Sequence, residues 1–185
     1  QTLLEEGADL LAIARVEEAA ELRRGGIEAP LLVLAPPLKA QAEAAVALDA
    51  AIVVCSLEHA QAVSAAAQAQ GRTGRVHLKT DVGMGRLGCR PEEALELLRR
   101  IRALPGIRVE GVMTHFPSAD GATDAGCDTL TRRQIETFAS VRREILAAGL
   151  GEGLTFHAAN SAATLDYPEA HFDAVRSGIA LYGQH

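Results

Sequence analysis

The chain has 185 residues, a length that suits one domain or most of a larger one. Hydrophobic residues make up 48% of it, with four Phe, two Tyr and no Trp, so we expect a core of Ala, Leu, Val and Ile. The net charge of −6 argues against nucleic acid as a partner, and the sequence contains neither a membrane-length apolar run nor a signal peptide.

Three cysteines, Cys55, Cys89 and Cys127, are an odd number and lack C-x-x-C spacing. They therefore indicate free thiols, and we expect a cytoplasmic protein. The first residue is Gln1 rather than Met, so we expect the chain to be a piece of a longer protein.

Seven short apolar runs along the chain predict buried strands. They cover residues 10–14, 31–34, 51–54, 76–80, 109–114, 154–158 and 174–176. Continuous runs of this kind, without polar alternation, are typical of a parallel sheet covered on both faces.

Amphipathic stretches between these runs predict helices. One begins near Pro91, is followed by two glutamates and ends before Pro105. Its apolar stripe consists of Ala94, Leu95, Leu98 and Ile101. A later helix presents Ile135, Phe138, Val141 and Ile145 on one face. Residues 117–128 between them have the composition of a loop.

The alternation of strands and helices predicts an α/β fold with right-handed parallel crossovers. The fold class we predict is an incomplete (β/α)₈ TIM-type barrel with about seven of its eight strands, filling residues 1–185. An open doubly wound sheet is the alternative, although no G-x-G-x-x-G motif follows the first strand.

Polar side chains gather where the later strands end, which is where barrels carry their active sites. These residues are Lys79, Asp81 and Arg86 near the fourth run, His115 after the fifth, His157, Asn160 and Ser161 after the sixth, and Arg176 with Ser177 and Gly178 at the last. Buried Lys and Arg side chains are costly unless they are paired, so their recurrence predicts a polar site. A hydroxyl and a glycine at the last two strand ends suit a phosphate.

Each of these residues alone also has a structural explanation. Lys79 suits a core lysine paired with Asp81, either histidine suits a hydrogen-bonded core position, and Asn160 with Ser161 suits a helix cap. We expect Tyr182 to pack, and His59, His171 and His185 to be structural or exposed. The polar strand ends taken together favour a functional site.

Four segments resemble the barrel domain of the alanine racemase family in order and separation. They are HLKTDVGMGRLG, GVMTHF, HAANSAAT and AVRSGIALYG. The resemblance implies a fold-type III pyridoxal 5'-phosphate enzyme that interconverts L- and D-alanine for peptidoglycan synthesis and acts as a cytoplasmic homodimer. Neither nucleic acid nor membrane is an implied partner.

The resemblance also implies roles for single residues. Arg176 would lie against the cofactor's pyridine nitrogen, and His115 would pack on the ring and help to orient Arg176. Ser161 and the backbone N–H groups of Gly178 and Ile179 would hold the phosphate, with Asn160 beside them. Arg86 would contact the cofactor phenolate and the substrate carboxylate, and Lys79, at a position where the family often has a carbamylated lysine, would orient Arg86. No metal is implied.

Two groups of the family's chemistry have no counterpart in the sequence. The lysine that binds the cofactor belongs to a first-strand V-K-A-x-A-Y-G motif, which is absent, and Lys39 matches nothing. The second base is a tyrosine of a C-terminal β-domain, whose context neither Tyr167 nor Tyr182 matches. We therefore expect the isolated chain to be inactive.

The alternatives are a non-catalytic barrel that binds pyridoxal phosphate and another fold-type III enzyme, such as an amino-acid decarboxylase. The HAANSAA segment argues against the former, and Arg176 argues against the latter.

Overall fold

The computed structural model describes residues 1–184, and His185 lies outside them. The strands are β1 (Leu11–Ile13), β2 (Leu31–Val33), β3 (Ala51–Val54), β4 (Gly74–Lys79), β5 (Ile107–Met113) and β6 (Thr155–His157). The helices are α1 (Thr2–Glu5), α2 (Val16–Arg24), α3 (Lys39–Ala47), α4 (Leu57–Gln70), α5 (Ala94–Arg102), α6 (Ala125–Ala147) and α7 (Ser161–Asp166). The strands follow one another in the sheet in chain order.

Backbone contacts divide the chain into two compact units. The first unit comprises Gln1–His77 and Leu97–Val109, and the second comprises Leu78–Glu96 and the chain from Glu110 onward. All candidate site residues named above belong to the second unit.

In the first unit, parallel pairing joins β1 to β2 and β2 to β3. The two central strands are buried along their whole length, as their unbroken apolar sequences predict. Helix α4 begins at a Ser56 cap, whose Oγ accepts the His59 N–H at 3.3 Å, and ends at Gly71, whose φ of 61° closes the helix. Lys39 is exposed at the start of α3, as expected.

In the second unit, β5 and β6 pair in parallel, with Met113 opposite His157. Helix α6 buries Ile135, Phe138, Val141 and Ile145, which confirms the predicted face.

The expectation of an aliphatic core is wrong for this unit. Its largest buried side chains are aromatic, namely Tyr167, Phe116, Phe138 and Phe156. The rings of Phe138 and Phe156 meet edge to face at 6.4 Å, a favoured arrangement.

The predicted seventh strand at residues 174–176 is absent among the described residues, so six strands are present instead of seven. Only Ala174 forms a bridge with His157. The Arg176 N–H donates to the Ala159 carbonyl at 3.0 Å, but the chain then turns at Gly178 (φ −121°, ψ −90°), so no regular ladder develops.

Two further expectations need correction. The predicted loop 117–128 ends early, because the Asp124 carboxylate accepts the N–H groups of Gly126 and Cys127 and starts α6 at Ala125. In α5, the stripe buries Leu97 rather than Leu95 beside Leu98.

The two tyrosines differ in environment. Tyr182, expected to pack, is 83% exposed, whereas Tyr167 is fully buried. None of the helices within residues 1–184 combines the length and the apolar character needed to cross a bilayer.

Candidate functional site

The carboxyl ends of β4 and β5 are locked together by two threonines. The Thr80 N–H donates to the Met113 carbonyl at 2.8 Å, and the Thr114 hydroxyl donates to the Thr80 carbonyl at 2.9 Å. Lys79, the last residue of β4, is only 5% exposed. The strand pairing therefore fixes a buried cationic side chain at this end of the sheet.

Residues 81–88 form a closed loop that carries Arg86, and we call it the Arg86 loop. Its neck is fastened by backbone bonds from Cys89 N–H to the Lys79 carbonyl (3.0 Å) and from Asp81 N–H to the Cys89 carbonyl (2.8 Å). Gly88 adopts a φ of +137°, and a Cβ there would lie 2.5 Å from the Asp81 nitrogen. Only glycine fits this neck.

The Asp81 carboxylate organises the inside of the loop. It accepts N–H bonds from Gly83 (2.9 Å), Gly85 (3.1 Å) and Arg86 (2.9 Å). Burial alone would raise the Asp81 pKa, but these bonds outweigh it and hold the pKa below its usual value. Asp81 thus stays ionised and fixes the backbone from which the exposed Arg86 side chain extends.

His115 lies where positive charge converges. Burial lowers its pKa to about 4, with further lowering from the charges of Arg176, Lys79 and Arg86. His115 is therefore neutral at pH 7, and the field around its ring is positive. The structure thus brings together four of the predicted residues, and the site they form favours an anion.

Arg176 is held rigidly by three acceptors. Its guanidinium donates to the Thr114 carbonyl (2.8 Å), the Ala158 carbonyl (3.1 Å) and His157 Nδ1 (2.9 Å). Because arginine can only donate, His157 carries its proton on Nε2. Burial lowers the Arg176 pKa to about 10, so the guanidinium remains charged at pH 7.

The structure shows His157 as an orienting partner of Arg176, and the expected help from His115 stays a prediction. The charge of Arg176 lowers the pKa of His115, whereas His157 bonds to Arg176 directly. The bridge between His157 and Ala174 places the two chain segments side by side, which explains the contact.

Asn160 and Ser161 connect α7 to the segment after Arg176. Asn160 Oδ1 caps the helix by accepting the Ala163 N–H (3.0 Å), and its Nδ2 donates to the Phe116 carbonyl (3.1 Å). Both amide atoms therefore have structural partners, which confirms the capping alternative for Asn160.

Ser161 Oγ accepts N–H bonds from Gly178 (2.9 Å) and Ala180 (3.2 Å). These two bonds use both acceptor positions of the hydroxyl, so its own proton points away and can be donated to a ligand. Ile179, between the two donors, is largely exposed. The structure thus joins Ser161 to Gly178, and the phosphate that the two residues were expected to hold stays a prediction.

Two of the histidines that were expected to be structural or exposed have structural contacts. His59 Nδ1 accepts the Cys55 N–H (3.3 Å), and His171 Nε2 contacts the Thr164 carbonyl (2.9 Å). No cluster of three or more His, Cys, Asp or Glu side chains able to hold a metal occurs within residues 1–184.

Sequence reasoning missed the parts played by Thr114 and Gln134. Thr114 ends a predicted strand and could have been included among the polar strand ends. Gln134, buried in α6 against Gly83, carries no sequence signal, because the contact depends on how the helix packs.

Comparison with known proteins gives a consistent result. The family model "Alanine racemase, N-terminal domain" matches residues 1–185. Alanine racemase from Symbiobacterium thermophilum is 44% identical over 180 residues, covering 97% of this chain and 46% of that protein. The enzyme from Methanococcus maripaludis is 41% identical over 181 residues, covering 97% and 47%.

Solved structures agree with these relatives. Alanine racemase from Clostridium difficile in complex with cycloserine superposes with a TM-score of 0.92 at 34% identity, covering 99% of this chain and 49% of that one. The Bacillus anthracis enzyme with bound L-Ala-P gives 0.86 at 36% identity, covering 98% and 46%. The fold class is thus the incomplete (β/α)₈ barrel, and the chain spans about half the length of its relatives. By its sequence and its fold, the chain belongs to the family of alanine racemase N-terminal domains.

Proposed function

We propose that the protein containing this chain is an alanine racemase that interconverts L- and D-alanine with pyridoxal 5'-phosphate. The main support is that the positive charges of Lys79, Arg86 and Arg176 surround a neutral His115 in a chain of this family. The D-alanine formed supplies peptidoglycan synthesis, and the complete protein is a homodimer.

The donor set fits this cofactor, which is an anion with a phosphate and a phenolate oxygen. Ser161 has a hydroxyl proton to donate, and the backbone N–H of Ile179 lies in the same turn. The positive charge around His115 suits the phenolate. Ser161 and the backbone N–H of Ile179 would hold the phosphate end, Gly178 and Asn160 would fix the segments that carry them, and Arg176 would face the pyridine nitrogen.

When bound, pyridoxal 5'-phosphate supplies an electron-withdrawing ring that stabilises negative charge at the substrate Cα. The chain's own contribution is to bind and orient. Arg176, fixed by its three acceptors, keeps its proton at pH 7 and presents a hydrogen-bond donor without transferring it. Arg86 binds the substrate carboxylate from its loop.

Lys79 is the positioning residue for Arg86. A cationic Lys79 repels the Arg86 guanidinium, whereas a carbamylated Lys79, which is negative, attracts the guanidinium. The ε-ammonium loses one proton, and the resulting neutral amine forms an N–C bond to carbon dioxide with release of a second proton, so a buried positive charge is replaced by a negative one.

The test is D-alanine formation from L-alanine by the complete protein supplied with pyridoxal 5'-phosphate, followed by chiral chromatography. We expect turnover, and we expect Arg86→Met to lower kcat/KM by about 100-fold or more, the usual cost of removing a charged contact to the transition state. Arg90→Met, an exposed arginine four residues away, is the matched control and should change little. Cofactor binding without D-alanine formation would contradict the proposal and favour a non-catalytic binding protein.

A further inference from the structure

Gln134 is a polar side chain buried in the second unit with no hydrogen-bond partner within residues 1–184. The residue is 2% exposed, and neither its Oε1 nor its Nε2 has a hydrogen-bond partner among the described residues. It shares the buried face of α6 with Ile135 and Phe138. A buried primary amide loses its bonds to water, so an unpartnered one disfavours the folded state unless another state gives it partners.

The Gln134 amide lies against the Arg86 loop. A Cβ on Gly83 would be 2.9 Å from Gln134 Nε2 and 3.8 Å from its Cδ, so the amide sits directly on the loop backbone. Gly83 also has a φ of +128°, which side-chain-bearing residues rarely adopt. The peptide groups on either side of Gly83 are therefore the backbone polar groups next to the Gln134 amide.

The loop is fixed at its neck and by Asp81, whereas Arg86 itself is exposed. Arg86 is joined to Gly83 by only two residues along the chain. A shift of the Arg86 backbone on binding an anion would therefore move the peptide carbonyls beside Gly83 relative to the Gln134 amide.

We propose that Gln134 is a positioning residue for Arg86 and that its Nε2 donates a hydrogen bond to a peptide carbonyl beside Gly83 when Arg86 binds a carboxylate. Because the amide is then better satisfied in the bound state than in the free one, it favours the loop conformation that holds the ligand. The inference deepens the proposed function. It rests on that function only in taking the bound carboxylate to be that of alanine.

This role has a signature that a merely structural amide lacks. Gln134→Met keeps the length of the side chain and removes the polar atoms, so it relieves an unsatisfied group in the free protein. The Tm of the free protein should therefore stay the same or rise, while carboxylate binding weakens. A structural amide predicts the reverse, a lower Tm with unchanged binding.

The experiment uses the complete protein and propionate, a carboxylate of the size of alanine without the amine. Amide hydrogen exchange of residues 81–88 is measured with and without propionate, together with the Tm of the free protein. We expect propionate to slow exchange in the loop of the wild type and not in Gln134→Met. We also expect KM for alanine to rise about tenfold in the variant, with a smaller change in kcat.

Val141→Ala is the matched control. Val141 lies on the same buried face of α6, so its truncation should lower the Tm and leave the protection by propionate intact. If Gln134→Met does not fold, Gln134→Leu replaces it.

Retained protection in the Gln134 variant would overturn the inference whatever its Tm, as would a fall in Tm as large as that of Val141→Ala. Absence of protection by propionate in the wild type would overturn it as well. Failure to form D-alanine would instead count against the proposed function, because the exchange measurement does not require turnover.

Discussion

The strands of the two units are built alike but end differently. In the first unit, β1, β2 and β3 end in the apolar residues Ile13, Val33 and Val54. In the second, β4 and β6 end in Lys79 and His157, and Thr114 and His115 follow β5 directly. Apolar runs suffice to make parallel strands, whereas chemistry requires polar groups placed where the strands stop.

The core shows the same contrast. The largest fully buried side chains of the first unit are aliphatic, whereas every Phe and Tyr of the chain lies after residue 115, in the second unit. Large rings occupy the part of the chain that must hold charged side chains in fixed positions. Changes in the first unit should therefore affect stability alone, and changes in the second should affect stability and ligand binding together.

Removing Arg176 should have the largest effect. In Arg176→Leu, the carbonyls of Thr114 and Ala158 and the Nδ1 of His157 lose their donor. We expect a loss of about 4 kcal/mol in the free energy of unfolding, at about 1–3 kcal/mol for each unsatisfied group. Urea denaturation of the complete protein measures it.

Arg176→Lys and Arg143→Leu serve as controls for Arg176. Lysine keeps the charge but cannot reach three acceptors, so it should be nearly as damaging. Arg143 forms an exposed ion pair with Glu136, and its loss should cost less than about 1 kcal/mol. An unchanged stability in Arg176→Leu would show that the three hydrogen bonds are not formed.

Closing the neck of the Arg86 loop depends on Gly88. Gly88→Ala places a Cβ against the backbone at Asp81 and imposes a φ that alanine avoids, so we expect a loss of about 3 kcal/mol and weaker binding at Arg86. Gly85→Ala is the matched control in the same loop, since its Cβ meets nothing within 4 Å and its φ is +70°. It should cost about 1 kcal/mol. Equal costs for the two variants would contradict the account of the neck.

The titration of His115 in the second unit should make the stability of the protein depend on pH. With a pKa of about 4 in the folded protein and about 6.5 when unfolded, the unfolded chain binds more protons between these values. Stability is therefore full above about pH 6.5 and falls by at most about 3 kcal/mol as the pH drops towards 4, and by less where water screens the part-exposed ring. NMR titration of the His115 ring without cofactor should place its midpoint near 4, and a midpoint near 6.5 would contradict the convergence of charges.

The same titration tests the carbamate. Bicarbonate should raise the His115 pKa, because Lys79 would change from a positive to a negative neighbour. The response should vanish in Lys79→Met. A response that persists there would rule out Lys79 as the site of modification.

The smallest effect should come from the first unit. Ile52→Val removes one methylene from a fully buried position of β3 and should cost about 1 kcal/mol. Its KM for alanine and its cofactor affinity should equal those of the wild type. A changed KM would contradict the separation of roles between the units.

Much of the fold could be predicted because local sequence specifies it. The strand at 51–54 and the first turn of the segment at Pro91 follow from an apolar run and a proline. The prediction of a strand at 174–176 was wrong because a short apolar run does not ensure regular backbone hydrogen bonds to a neighbouring strand. The start of α6 was placed too late, because Gly126, two residues after Asp124, is typical of a loop and concealed the capped start of the helix.

The site could be predicted as a set of strand ends, but its internal bonds could not. Lys79, His115, Ser161 and Arg176 stand out because polar residues are unusual after buried strands. Tertiary packing, which residue spacing does not encode, produces the hydrogen bond between His157 and Arg176. It also produces the contact of the buried Gln134 with Gly83.

The most direct test of the central claim is a crystal structure of the complete protein grown with pyridoxal 5'-phosphate. The account predicts phosphate density within hydrogen-bonding distance of Ser161 Oγ and the Ile179 N–H, with the Arg176 guanidinium against the ring nitrogen and its bond to His157 intact. Phosphate bound elsewhere, or an Arg176 side chain turned away from the cofactor, would contradict it.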